Sequence, residues 1–180
     1  MEYNYAGKKT VLRKDAKKFQ GNPISLIGEE IKVGDKAIDF TAQKVDLSEF
    51  KLSDTSGKIR LISVVPSIDT GVCQIQTRTF NEEATKLSED VILLTISVDL
   101  PFAQERFCAA EGLDRVVMLS DHIDTDFGIK YGFLIDGLRL LNRGIVVIDR
   151  DDIVKYVEYV EENTDEADYE KALDAVKALI

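Results

Sequence analysis

Apolar runs and helical stretches alternate through the middle of the chain. Ile59 to Val65 is a run of strand-forming residues, followed by a helical stretch to about Leu87. Val91 to Val98 is a second run, followed by a helical stretch to about Glu111, and Val116 to Leu119 is a third. That alternation is the sequence form of an α/β domain with parallel strands. Further on, Gly144 to Ile148 and Ile153 to Val157 flank the polar turn Asp149-Arg150-Asp151-Asp152 and predict an antiparallel hairpin. A last helix, from near Thr164 or Asp165, places Tyr169, Ala172, Leu173, Val176 and Leu179 or Ile180 at spacings of three and four, a stripe that covers one face of the sheet. Ahead of the α/β part, Ile24 and Leu26 are followed, after Gly28, by Glu30-Ile31-Lys32-Val33 and then Ile38-Asp39-Phe40. That pattern predicts an N-terminal β-hairpin.

Residues 1–18 differ from the rest. Lys8, Lys9, Arg13, Lys14, Lys17 and Lys18 stand against only Glu2 and Asp15, and Val11 and Leu12 are the only aliphatic anchors beyond two tyrosines. The segment reads as a basic N-terminal extension, either partly ordered or a surface strand, and as a solvated tail sooner than a partner-binding arm. Residues 19–180 read as a single domain, long enough to bury its own core. They contain no repeat, no low-complexity stretch and no linker, and the whole chain has 3 prolines.

A formal charge of −10 excludes nucleic acid and anionic membranes as partners, since both demand a basic footprint. No apolar run is long enough to span a membrane and the N-terminus lacks the apolar core of a secretory signal, which places the protein in the cytoplasm. With 2 cysteines the chain is not a disulfide scaffold, and it has no CxxC pair or Cys/His cluster to hold a metal. His122, in Ser120-Asp121-His122-Ile123-Asp124, reads as a solvated loop histidine and not as a partner for a cysteine.

Candidate chemistry begins at Cys73, in Pro66-Ser67-Ile68-Asp69-Thr70-Gly71-Val72-Cys73, between the first apolar run and the helix that follows it. Orphan N–H groups and the positive dipole end of a helix favour a thiolate, the reactive form, over a thiol. A small buried hydrophobe is the competing reading. Cys108 lies on the helix entered through Asp99-Leu100-Pro101, with Asp99 as cap acceptor, and stopped by Gly112. Ala103, Phe107 and Ala110 share one face of it and Cys108 falls off the centre of that face. It is better placed to meet another thiol than to fill space. Nothing in the spacing brings the two cysteines within the ~7 Å between Cα atoms that a bridge requires.

Pro66-Ser67-Ile68-Asp69-Thr70-Gly71-Val72-Cys73 matches the PxxxTxxC motif of peroxiredoxins, and Ser97 to Cys108 resembles the pattern of the thiol peroxidase branch. The resemblance continues through Gly21-Asn22-Pro23, Val33 to Phe40, Phe80-Asn81-Glu82-Glu83, Ala109 to Leu113 and Tyr156 to Val160. The chain is thus similar to bacterial thiol peroxidases, the atypical two-cysteine peroxiredoxins. Cys73 matches the peroxidatic cysteine, Cys108 the resolving cysteine, Thr70 and Pro66 the motif partners of Cys73, and Arg143 the active-site arginine. The resemblance implies a thioredoxin-like fold, a central mixed sheet flanked by helices with an N-terminal β-hairpin, and a homodimer. It implies reduction of hydrogen peroxide and organic hydroperoxides through a Cys73 sulfenic acid and a Cys73–Cys108 disulfide recycled by thioredoxin, in antioxidant defence, with no cofactor and no metal. Within this reading Pro66 fixes the loop and keeps water from the sulfur, while Thr70 and Arg143 meet the developing charge on the peroxide. Without the resemblance, Pro66 is only a strand stop, Thr70 only an N-cap for the N–H of Cys73 or its neighbour, and Arg143 a surface residue. Two departures stand out: the extension at residues 1–18, and Asn142-Arg143-Gly144 where Ala-Arg-Ala is usual. A disulfide reductase without CxxC and a redox sensor using the same cysteines are the competing functions.

Overall fold

Burial on both faces is what makes the middle runs strands. The computed structural model describes residues 1–84 and 86–180. It opens with strands β1 (Glu2–Tyr5), β2 (Lys8–Phe19), β3 (Asn22–Ile27), β4 (Thr41–Lys44) and β5 (Glu49–Lys51). The alternating part gives β6 (Ile59–Val64), α1 (Gly71–Ala84), β7 (Val91–Ser97), α2 (Pro101–Glu111) and β8 (Val116–Ser120). The chain closes with α3 (Asp126–Lys130), β9 (Leu134–Ile135), β10 (Gly144–Ile148), β11 (Val154–Tyr159) and α4 (Tyr169–Lys177). The expected run of α1 to Leu87 crosses Thr85, which lies outside the described residues.

The main sheet has 7 strands in the order β11-β10-β6-β7-β8-β4-β5. Strands β6, β7 and β8 are parallel, β10 and β4 join them antiparallel at either side, and β11 and β5 pair antiparallel with β10 and β4, so the sheet is mixed as the resemblance implied. Alternate residues of β6 feed two cores. Ile62 and Val64 pack with Leu94, Ile96, Val146 and a cluster of aromatics that includes Phe40, Phe127 and Phe133. Ile59 and Leu61 pack on the other face with Phe80 of α1 and with Ala172, Leu173 and Val176 of α4. Each such fully buried aliphatic side chain contributes about 1.5–3 kcal/mol. The predicted stripe of the last helix is therefore correct, but the helix starts at Tyr169, because the Asp168 side chain caps it by accepting from Lys171 N at 3.1 Å.

Residues 1–18 take the strand form of the two that the sequence left open. Strand β2 pairs with both β1 and β3, and β9 completes a 4-stranded antiparallel sheet. Tyr3, Tyr5 and Leu12 pack against the aromatic core. The hairpin expected between Ile24-Leu26 and Glu30 to Val33 does not form; β3 pairs with β2 instead. At Gly28 the chain turns with φ +105°, in a place where a Cβ would collide with the Ile129 carbonyl, and it leaves the sheet. Ile31 N then donates to Tyr159 Oη at 2.9 Å and Val33 is exposed.

Because β6 and β7 are parallel, α1 and α2 both leave from the same edge of the sheet, the carboxyl ends of those strands. Both cysteines lie on these helices.

Candidate active site

The segment between β6 and α1 is fixed before the cysteine is reached. Val65 N donates to Ile96 O at 3.1 Å, Pro66 is buried, and Thr70 N and Oγ1 both donate to Ser67 O, at 3.3 and 3.2 Å. Asp99, in the loop after β7, takes hold of the same turn. Its carboxylate accepts from Ser67 Oγ at 2.8 Å, Ile68 N at 2.9 Å and Ser97 Oγ at 2.6 Å. The expected capping role of Asp99 is therefore wrong: the N-cap of α2 is Leu100, and the carboxylate is occupied by the turn ahead of Cys73. Thr70 is also placed differently from expectation. Its hydroxyl is exposed and donates inside the turn, while its carbonyl accepts from Gln74 N at 3.1 Å.

Cys73 is the third residue of α1 and is 0% exposed. Antiparallel register sets Gly144 opposite Val64, which brings the residue before β10 beside the start of α1. That residue is Arg143, 2% exposed, whose Nη2 donates to Cys73 Sγ at 3.1 Å. Arg143 Nη1 donates to Gln76 Oε1 at 3.1 Å and Nε to Asn163 O at 3.0 Å. Gln76 in turn donates from Nε2 to Ser63 Oγ at 2.7 Å. A buried guanidinium is tolerated only when its donors are satisfied, and here the Cys73 sulfur is one of the acceptors. Arg143 is not a surface arginine, and Cys73 is more than a small residue filling space.

Cys108 sits apart from this network. It is half-buried, packs with Ile68, Phe107 and Met118, and lines a groove of about 590 Å³ together with Val45, Leu113 and Val116. Burial pushes its thiol up to about 11. Both cysteines are free thiols. Ile68, from the turn ahead of Cys73, touches the Cys108 cluster, and Arg78 of α1 meets Glu111 of α2 at 2.5 Å, so the two helices are neighbours. His122 is half-buried and bonds through Nε2 to Gln43 Oε1 at 2.7 Å, not solvated as its acidic surroundings implied. Among the described residues no group of three or more His, Cys, Asp or Glu could hold a metal, and no helix is long and apolar enough to cross a membrane.

Comparison with known proteins agrees with this geometry. The Redoxin family profile matches residues 32–173. A thiol peroxidase of Halalkalibacterium halodurans is 59% identical over 162 residues, 90% of this chain and 97% of that protein, and one of Bacillus subtilis is 54% identical over 90% and 96%. The chain belongs to the thiol peroxidase branch of the redoxin family. Like its relatives it is a peroxiredoxin-type, thiol-dependent peroxidase. A peroxiredoxin-like protein from Aquifex aeolicus, 37% identical, superposes with a TM-score of 0.86 over 95% of this chain and 99% of that one. The thiol peroxidase of Chromobacterium violaceum, at 21% identity, shares the fold with a TM-score of 0.80 over 90% and 95%.

Against a peroxiredoxin site, the sequence reading missed Gln76 and Asn163, noted Asn142 only as a departure without a role, and gave Asp99 the wrong partner. Gln76 was within reach, since it lies one helical turn after Cys73 on the same helix. The asparagines were not: each is a polar residue near a strand end whose partners come from distant parts of the chain.

Proposed function

We propose that Cys73 reduces hydroperoxides and that Cys108 resolves the product. The Cys73 thiolate attacks the terminal oxygen of ROOH, the O–O bond breaks, and RO⁻ leaves to be protonated to alcohol or water. Cys73 becomes a sulfenic acid. The Cys108 thiol then condenses with it, forming the Cys73–Cys108 disulfide and releasing water, and a dithiol reductant, thioredoxin in this reading, restores both thiols by exchange. No cofactor or metal takes part.

The 3.1 Å hydrogen bond from Arg143 Nη2 to Cys73 Sγ carries the proposal. A preorganised cationic donor at the sulfur meets the negative charge that develops on the peroxide oxygens as the O–O bond breaks. Pro66, buried at the end of β6, keeps water off the sulfur, and Thr70 closes the turn that presents it. Exposed Leu100 and Phe102 at the start of α2 offer an apolar face for the homodimer this reading includes, and the protein works in the cytoplasm.

The test is intact mass and thiol mapping after one equivalent of cumene hydroperoxide is added to reduced protein, followed by thioredoxin in a parallel sample. A Cys73–Cys108 disulfide that thioredoxin reverses is expected. Two unmodified thiols would overturn the reading, and a lone oxidised Cys73 would remove Cys108 from the cycle.

A further inference from the structure

Arg143 is aimed at the sulfur by something, because a free arginine has many rotamers and this one has none to spare. The guanidinium is planar with its donors in a rigid fork. Fixing Nε and Nη1 therefore decides where Nη2 points. Gln76 fixes Nη1, and the carbonyl of Asn163 fixes Nε. Asn163 also takes the backbone of the same arginine: its Oδ1 accepts from Arg143 N at 2.6 Å. One residue, 1% exposed, thus holds Arg143 at both ends.

The amide of Asn163 is itself fully engaged. Its Nδ2 donates to Asn142 Oδ1 at 2.6 Å and to Lys18 O at 3.0 Å. Asn142 closes the loop by donating from Nδ2 to Arg143 O at 2.9 Å and Val160 O at 3.2 Å. The turn that carries Asn163 is then clamped to the far end of β2. Asn163 N donates to Lys18 O at 2.9 Å and Lys18 N to Glu161 O at 2.8 Å, and the Glu162 carboxylate accepts from Gln20 N and Gly21 N, each at 2.9 Å.

We propose that Asn163 is a positioning residue for Arg143, held in place by Asn142 and by the Lys18 end of β2. The inference rests on the reading that Arg143 acts on Cys73. It gives Asn142, where alanine is usual in the family pattern, a function: an alanine there would leave Asn163 Nδ2 with one acceptor. Loss of the Asn163 side chain frees both the Arg143 amide and the turn whose carbonyl orients Nε, and small displacements at a reacting centre are amplified in rate.

The experiment compares Asn163→Ala with Arg143→Gln, each in a Cys108→Ser background so that Cys73 alone reports. Two quantities are read: the rate of Cys73 oxidation by cumene hydroperoxide, and the pH profile of Cys73 alkylation by iodoacetamide. Asn163→Ala is expected to slow oxidation ~10-fold and to move the alkylation profile to higher pH, in the direction of Arg143→Gln and by less. An Asn163→Ala protein that melts earlier with an unmoved alkylation profile would reduce the residue to a structural role and overturn the proposal. If that variant does not fold, Glu162→Ala releases the same turn from its surface side. A smaller shift in the same direction then supports the proposal and an unmoved profile overturns it. Should Arg143→Gln itself leave the profile unmoved, the reading of Arg143 falls and this inference with it; a shift with Arg143→Gln alone overturns only the inference.

Discussion

Glu111 Oε2 accepts from Arg78 Nε at 2.5 Å, and that bond ties α1, which carries Cys73, to α2, which carries Cys108. In the proposed cycle Cys73, which is 0% exposed, has to reach Cys108 on the neighbouring helix, so this exposed pair is placed to restrain resolution and not peroxide reduction.

Glu111→Gln is expected to speed disulfide formation after peroxide addition by less than tenfold, since exposed ion pairs are weak and screened by salt. The rate of Cys73 oxidation should not change. Stopped-flow measurement of the two phases in low and high salt checks this, and the wild-type resolution rate should itself rise with salt.

Cys108 should be slow to alkylate in the folded, reduced protein. Its burial holds the thiol up to about 11, so only a small thiolate fraction exists at neutral pH. Its labelling rate should climb about tenfold per pH unit between pH 8 and 10. Mass spectrometry of iodoacetamide-labelled Cys73→Ser protein provides the measurement, and a plateau near pH 8 would contradict the burial.

Asp121 should make stability depend on pH. It is buried beneath α3, accepts from Phe127 N at 3.0 Å and Gly128 N at 2.8 Å, and burial raises it from 3.8 to about 7. The folded state therefore binds this proton more tightly than the unfolded state does. Its contribution is fully present below pH 4 and is lost as pH rises towards 7. Asp121→Asn should remove a decline on the order of 2–4 kcal/mol across that window, read from urea midpoints at a series of pH values.

Gly144→Ala should destabilise the fold by about 3 kcal/mol. A Cβ at that position would fall on the Glu158 carbonyl of β11 and within 2.5 Å of Phe133 Cε1. Backbone on one side and a packed ring on the other leave it no room. Equilibrium unfolding in urea gives the value, and a neutral substitution would mean that β10 and β11 can separate without loss.

Much of this could be read in advance where the signal was local. The apolar runs at Ile59, Val91, Val116 and Gly144 each became the strand they predicted, because residues buried on both faces have few alternatives. The stripe from Ala172 to Val176 was legible for the same reason. Near Gly28 the sequence misled, since Ile24 to Val33 alternates like a hairpin while the true partner of β3 lies upstream, in a basic segment with few apolar anchors. A long strand covered by lysines does not announce itself by hydrophobicity. At the site, Cys73 was singled out by its place in the first turn of a helix after a strand and Arg143 by the motif match, and Asp99 was noticed but given to the wrong partner because its local position suited a helix cap. Asn142 stood out only as a departure from the usual Ala-Arg-Ala, and Asn163 carried no pattern at all; their meaning lies in contacts with Lys18 and Arg143 that only the folded chain creates.

The place of β10 in the sheet also bears on how the enzyme is made. It lies between β6 and β11, so β6 has an open edge until residues near the carboxyl end have been synthesised. Cys73 is translated 70 residues before Arg143, and Asn163 follows 20 residues later. Domains generally fold as units once their chain is available. A growing polypeptide therefore carries its cysteine before the guanidinium that bonds to the sulfur has been made, and in the proposed cycle the complete site arrives only with the last strands.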